Sequence, residues 1–264
     1  MNIYRREMKV HRWGLFFWSI GMLLLVMSGM AKFAAYEQAG QSVEQIMGAL
    51  PKAVQVIFGL TGFDLTSASG FYGILFLYLA VMAAIHAVIL GAGVISEEER
   101  DKTSEFLYAK PVSRSTALTG KLLAGLTNLI VLNLVTLASS FVFVDYYGKG
   151  EDVTSEILVL MVGLFFLQLI FFSIGAVVAG TAGKPKSAGS RAMSIMLATF
   201  VLFYLINLNE NLDPLKYLTP FKYFDAAMLM KDGLDPVFVG LSLIIVILGI
   251  FGTYYFYGRR DLSV

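Results

Sequence analysis

The sequence lacks cysteine, and only two of its 264 residues are histidine. Without a thiol the chain cannot form a disulfide, hold an iron–sulfur cluster or use a thiolate nucleophile. The two histidines, His11 and His86, are too few and too far apart in the sequence for a zinc site of ordinary spacing, so no metal site is expected. Charged residues are also scarce at 15%, whereas soluble domains have about a quarter.

The composition that remains is strongly apolar. Hydrophobic residues make up 57% of the chain, and the mean hydropathy is +0.73. These values predict a polytopic membrane protein, and the net charge of +1 gives no indication of nucleic-acid binding. Six stretches are long and apolar enough to cross a bilayer, and none of them contains Asp, Glu, Lys or Arg. They are 13–30, 70–95, 122–144, 157–180, 192–208 and 236–256.

The expected fold is therefore all-α, with a single transmembrane domain over residues 1–264. Six spans place both termini on the same side of the membrane. Most of the 20 basic residues lie in the segments of that side, and the acidic residues divide the other way. The positive-inside rule then places both termini and the loop 96–121 in the cytoplasm of a cell-membrane protein.

Three segments outside the spans predict surface helices. The basic N-terminal tail before residue 13 is expected either to lie on anionic lipid headgroups as an interfacial helix or to act only as a topogenic signal. In the outer loop 31–69, apolar residues recur at helical spacing between Val43 and Phe58. The outer loop 209–235 is rich in aromatic residues, which are typical of a membrane interface.

The loop 96–121 carries the most informative pattern. Ser96 is placed to cap a helix whose first turn is the acidic run 97–99, which suits the helix dipole. The pair Lys110-Pro111 is expected to end that helix, and Ser113 to cap the next one. Between them, Phe106 and Leu107 form an apolar patch that either binds a partner or rests on the bilayer surface or on the chain's own spans.

This loop resembles that of the permease subunits of type-2 ABC exporters. The matching residues are the glutamate cluster, Thr103, Glu105, Leu107, Pro111-Val112-Ser113-Arg114 and Gly120-Lys121. The family usually has glycine before the threonine, where this chain has Lys102. The segments Tyr217-Leu218-Thr219-Pro220-Phe221 and Arg259-Arg260-Asp261-Leu262 resemble the family's outer loop and its usual ending, so the resemblance covers the whole chain.

The resemblance implies that the loop is a coupling helix seated on a separate ABC-type ATP-binding subunit. Two such subunits would bind ATP and Mg²⁺, and a second permease chain, identical or homologous, would complete the pathway. Gly120-Lys121 lacks the first Gly and the Ser or Thr of a P-loop, so this chain is expected to be neither an enzyme nor the holder of a cofactor. The implied coupling residues are Glu97, Glu98, Glu99, Thr103, Glu105, Phe106, Leu107, Pro111, Ser113 and Arg114.

Polar residues within the spans admit two interpretations. Asn133, Thr136 and Ser140 share one face of the third span, where they either line a pathway or bond to neighbouring helices. His86 also admits two interpretations: it is either a substrate or proton site or a structural residue. Small residues such as Gly91, Gly93 and Gly175 either permit close helix packing or act as hinges.

The cargo is inferred from the character of the spans. With no intramembrane carboxylate, a secondary transporter is disfavoured. An almost uncharged wall favours amphipathic cargo, and by analogy the first expectation is export of a toxin, bacteriocin or antimicrobial peptide. Drug or lipid export, or a peptide-sensing complex of the same architecture, are the alternatives.

Overall fold

All regular structure in the described part of the chain is helical. A computed structural model describes residues 3–39, 49–100, 113–182 and 185–259. Two short 3₁₀ helices, Pro185–Ser187 and Glu210–Leu218, join longer elements. The α-helices are α1 (Ile3–Ala39), α2 (Lys52–Ile57), α3 (Ala68–Arg100), α4 (Arg114–Tyr147), α5 (Thr154–Thr181), α6 (Ala188–Leu208), α7 (Pro220–Tyr223), α8 (Ala226–Asp232) and α9 (Pro236–Arg259).

Six of these helices, α1, α3, α4, α5, α6 and α9, are long and apolar enough to cross a membrane. Each of the six apolar stretches found in the sequence lies within one of them. The prediction of an all-α polytopic membrane protein is therefore confirmed.

Two expected helix boundaries are wrong, and both errors have the same cause. The tail before residue 13 is part of the continuous helix α1, which at 37 residues is about 55 Å long, more than the ~30 Å hydrocarbon core requires. Ser96 does not begin a helix, because α3 continues through it and its Oγ donates to the Ala92 carbonyl at 2.8 Å. No proline interrupts either junction, so each helix continues past the end of its apolar stretch.

Helices α3 and α5 form the centre of the bundle. In the most apolar 18-residue stretch of each helix, 67% of the residues are buried in α3 and 61% in α5. The corresponding fraction in α9 is 17%, so α9 is peripheral. The two central helices approach at glycines, since a Cβ on Gly91 would lie 2.1 Å from the Phe172 carbonyl oxygen. A Cβ on Gly175 would lie 2.4 Å from the Val88 oxygen, whereas one on Gly93 would meet nothing within 4 Å. Gly91 and Gly175 thus serve close packing, and Gly93 does not.

The first turns of α1, the last turn of α9, the end of α3 and the start of α4 meet at one end of the bundle, which we call the loop end. Tyr4 in α1 hydrogen-bonds Thr127 in α4, with 3.1 Å between the two hydroxyl oxygens. Arg114 at the start of α4 donates from Nη1 to the carbonyl of Gly258 in α9 at 3.3 Å. Residues 101–112 connect α3 to α4 at this end, so both described termini lie on the same side as that connection.

Candidate functional site

The start of α4 is fixed by its own cap and by two contacts to α9. Ser113 is extended, and its Oγ accepts a hydrogen bond from the Thr116 amide at 3.2 Å, so the predicted N-cap is confirmed. Arg114 reaches the carbonyl of Gly258, one of the last carbonyls of α9, which lack intrahelical partners. One turn further on, the hydroxyls of Thr119 and Tyr254 lie 2.7 Å apart. The first two turns of α4 are therefore attached to the end of the last span.

A buried lysine joins the two helices on either side of residues 101–112. Lys121 in α4 is fully buried, and its Nζ donates to the carbonyl of Val94 in α3 at 2.8 Å. Lys121 belongs to the Gly120-Lys121 motif, but the sequence alone does not assign it to the site. Its position, directly before an apolar run that contains no other charge, is the signal that could have identified it.

The N-terminal turns of α1 also belong to this site. A Cβ on Gly120 would lie 3.3 Å from the side chain of Ile3, so α1 and α4 are in close contact there. Nδ2 of Asn128 lies 3.4 Å from the Met8 sulfur, and Glu7 is only 2% exposed. The sequence alone does not identify Glu7. Its charged neighbours indicate an exposed residue, whereas the packing of α1 against α4 buries it.

The acidic end of α3 meets α1. An oxygen of Glu97 lies 3.5 Å from Nε2 of His11, and His11 lies 3.8 Å from an oxygen of Glu7. Helix packing thus brings together one histidine and two glutamates, a combination that the spacing of the two histidines in the sequence does not reveal.

The remaining predicted coupling residues are not described. Glu98 and Glu99 lie in the last turn of α3, but their side chains are outside the described structure. Thr103, Glu105, Phe106, Leu107 and Pro111 lie outside the described residues altogether. Their coupling role stays a prediction, while the residues on either side of them are positioned by the contacts above.

The polar residues of the third span are used in bonds within the bundle. Asn133 donates from Nδ2 to the Met161 carbonyl of α5 at 3.2 Å. Ser140 accepts a hydrogen bond from the Tyr72 hydroxyl of α3 at 2.7 Å and donates to the carbonyl of Thr136. Thr136 donates to its own helix, at the Leu132 carbonyl. These contacts favour helix–helix bonding as the role of the stripe.

His86 lies where α3 packs against α1. It is 4% exposed and packs edge-on against Trp18, with ring centroids 5.3 Å apart. The contact joins α3 to α1 near the middle of α3.

Two connected grooves lie toward the other end of the bundle, which we call the far end. The larger has a volume of about 690 Å³ and runs between α1, α3 and α6. The smaller, of about 390 Å³, continues along α1 and α3 toward the loop before α3 and includes Lys32. Leu25, Ser28 and Tyr78 line both, so the two grooves form one continuous surface. Almost all of its other lining residues are apolar.

These features define a class: a multi-pass helical membrane protein in which the helices on both sides of one connection are bonded to each other and to the last span, at the end where the described part of the chain begins and ends. A family model described as "ABC-2 family transporter protein" matches residues 1–262, and the chain belongs to that family. No curated protein matches it. Proteins of this family are the membrane-spanning subunits of ABC exporters and work with separate ABC ATP-binding subunits.

Proposed function

We propose that this chain is the permease of an ATP-driven exporter and that residues 101–112 dock on its ATP-binding subunit. The observation that carries the proposal is the attachment of both flanking helices at the loop end. Lys121 joins α4 to α3, and Arg114 joins α4 to α9. A push on the connection would thus move three spans together, as mechanical coupling requires, whereas a loosely tethered loop would absorb the motion.

The distribution of charge supports an orientation with the loop end in the cytoplasm. Arg5, Arg6, Lys9 and Arg12 lie in the first turns of α1, and Arg259 ends α9, all at the loop end. Cytoplasmic segments carry an excess of Lys and Arg. Both termini and the docking connection are then on the side where ATP is available.

We propose that two permease chains, identical or homologous, form the translocation pathway between them. Asn133 and Ser140 make their hydrogen bonds within the chain, so a route through a single bundle would have to break them. A route between two chains leaves these bonds intact.

We assign amphipathic peptides as the cargo class on the basis of the two connected grooves. Their combined wall is apolar over the spans and becomes polar near Lys32 and Tyr36, where α1 reaches the far end. A peptide with one apolar face fits such a surface, because its apolar side chains pack between α1 and α3 while its polar face stays toward water. Lipid-like drugs are the second class that this surface would accept.

Replacing Phe106 and Leu107 together with aspartate is expected to abolish association with the ATP-binding subunit. Two apolar anchors at the centre of an interface contribute ~2 kcal/mol each, so binding would weaken roughly a thousandfold. Pull-down of the tagged chain from its native membranes, with mass spectrometry for a P-loop ATPase, measures this. The matched control is Ile57→Asp/Phe58→Asp, an adjacent apolar pair that is half exposed at the far end. Normal recovery of the ATPase with the Phe106/Leu107 variant would contradict docking.

Filling the larger groove is expected to abolish peptide export without affecting assembly. Gly21 lines the groove, and a Cβ there would meet nothing within 4 Å, so Gly21→Leu adds bulk to the groove from a position where the first side-chain atom has space. The control is Gly240→Leu on α9, which also has open space. Cells producing the complex would lose their protection against amphipathic peptides with Gly21→Leu and keep it with Gly240→Leu. Unchanged protection would rule out the groove, and protection against lipophilic drugs alone would replace peptides with the second class.

A further inference from the structure

Three metal-ligating side chains converge at the loop end. Glu7 and His11 are four residues apart on α1 and therefore share a face of that helix, which is turned toward Glu97 of α3. One ligand atom from each of the three side chains lies within 4.8 Å of the other two. Glu7 is buried, and Glu97 is partly buried, so this is not an acidic patch spread over the protein surface.

The spacing fits a first-row transition metal. A zinc ion binds histidine nitrogen and carboxylate oxygen at ~2.0–2.2 Å, and ligands at the corners of a tetrahedron of that size are separated by roughly 3.3–3.6 Å. The distances from Nε2 of His11 are 3.5 Å to the Glu97 oxygen and 3.8 Å to the Glu7 oxygen. Rotation of the Glu7 side chain that moves its carboxylate oxygen by a few tenths of an ångström would bring the longer distance into the range for a tetrahedral zinc site.

A second observation is a cavity that adjoins this cluster. His11, Glu97 and His86 line one cavity of about 230 Å³. His86 is 4% exposed, and its Nδ1 has no hydrogen-bond partner among the described residues. A buried polar atom without a partner is costly, so such an atom on a cavity wall marks a place where a further group binds. The cavity has room for an ion and several waters, each of which occupies ~30 Å³.

We propose that Glu7, His11 and Glu97 bind a divalent transition-metal ion, and that water in the adjoining cavity completes its coordination and extends to Nδ1 of His86. Two carboxylates balance the charge of the ion, and imidazole selects metals such as Zn²⁺, Co²⁺, Ni²⁺ or Cu²⁺ over Mg²⁺ and Ca²⁺, which prefer oxygen ligands. The site joins α1 to the last turns of α3, directly before residues 101–112. It is independent of the proposed function, because it depends only on the packing of these helices.

The chain is well suited to a direct test, because it has no cysteine and only two histidines, so background metal binding is low. The full chain is purified in detergent with a tag free of His and Cys, stripped with chelator and titrated with ZnCl₂ by calorimetry. We expect one Zn²⁺ per chain, with the affinity at least tenfold lower in both His11→Ala and Glu97→Gln. Glu156→Gln at the far end is the matched control and should bind as the natural chain does. Absence of binding by the natural chain, or an affinity in His11→Ala and Glu97→Gln equal to that of the natural chain, would overturn the proposal.

A measurement on the unaltered chain avoids dependence on how the variants fold. X-ray absorption at the zinc edge of the Zn²⁺-loaded protein is expected to give nitrogen and oxygen ligands only, with the multiple-scattering signal of at least one imidazole. His86→Gln should keep both the ion and that signal, because His86 lies eleven residues before Glu97 on α3, about 16 Å along the helix axis, and is not a ligand. A spectrum without an imidazole contribution would show that the ion binds elsewhere and would overturn the assignment.

Discussion

Replacing Lys121 with glutamate is expected to leave almost no folded, ATPase-associated protein in the membrane. The lysine is fully buried and donates to the Val94 carbonyl at 2.8 Å. Glutamate would place a carboxylate against that carbonyl oxygen, so an attraction becomes a repulsion in a site without bulk water. Leaving a buried charge uncompensated costs about 3–5 kcal/mol, which is a large part of the stability of most domains.

Charge reversal is a sharper test than neutralisation. Lys121→Met would remove the hydrogen bond but also the desolvation cost of the buried ammonium, and these two contributions oppose each other. The control is Lys186→Glu, the same exchange at an exposed residue between α5 and α6. Size-exclusion chromatography of fluorescently tagged protein after extraction measures the folded fraction. A monodisperse peak for Lys121→Glu as large as that for Lys186→Glu would show that Lys121 does not hold α3 and α4 together.

The course of the six spans could be predicted from the sequence because it depends on a local quantity, the length of each uninterrupted apolar stretch. The cap at Ser113 was predictable for the same reason, since an N-cap depends on the residue and the three that follow it. The ends of α1 and α3 were not, because a helix does not have to stop where its apolar stretch stops. Polar residues continue both helices at little cost when nothing breaks the backbone.

The contacts that build the loop-end site depend on packing between helices and therefore could not be read from spacing. Glu7, His11 and Glu97 come together only when α1 lies against α3, and no periodicity in the sequence encodes that pairing. Lys121 gave a partial signal, as a charge at the margin of an apolar run. Even so, the hydrogen bond that Lys121 donates to α3 ends on a backbone carbonyl, which any sequence could supply.

The same limit applies to the glycines of α3. Gly91 and Gly93 are equivalent in the sequence, two residues apart in one apolar helix, and both could have been packing residues or hinges. They differ because residues two positions apart in an α-helix are separated by about 200° around the helix axis. Gly91 therefore faces α5, and Gly93 faces the cavity that also contains His86.

Gly91→Ala is accordingly expected to destabilise the bundle, whereas Gly93→Ala is not. The added methyl at Gly91 would lie 2.1 Å from the Phe172 oxygen, and relief requires the backbones of α3 and α5 to separate rather than a side chain to rotate. Overpacking of this kind costs roughly 1–3 kcal/mol and would lower the midpoint of heat-induced aggregation measured in detergent. Gly93→Ala adds the same methyl to the same helix in open space, so it controls for helix propensity. Equal midpoints for the two variants would mean that α3 and α5 do not approach at Gly91, and the central pair of the bundle would have to be reassigned.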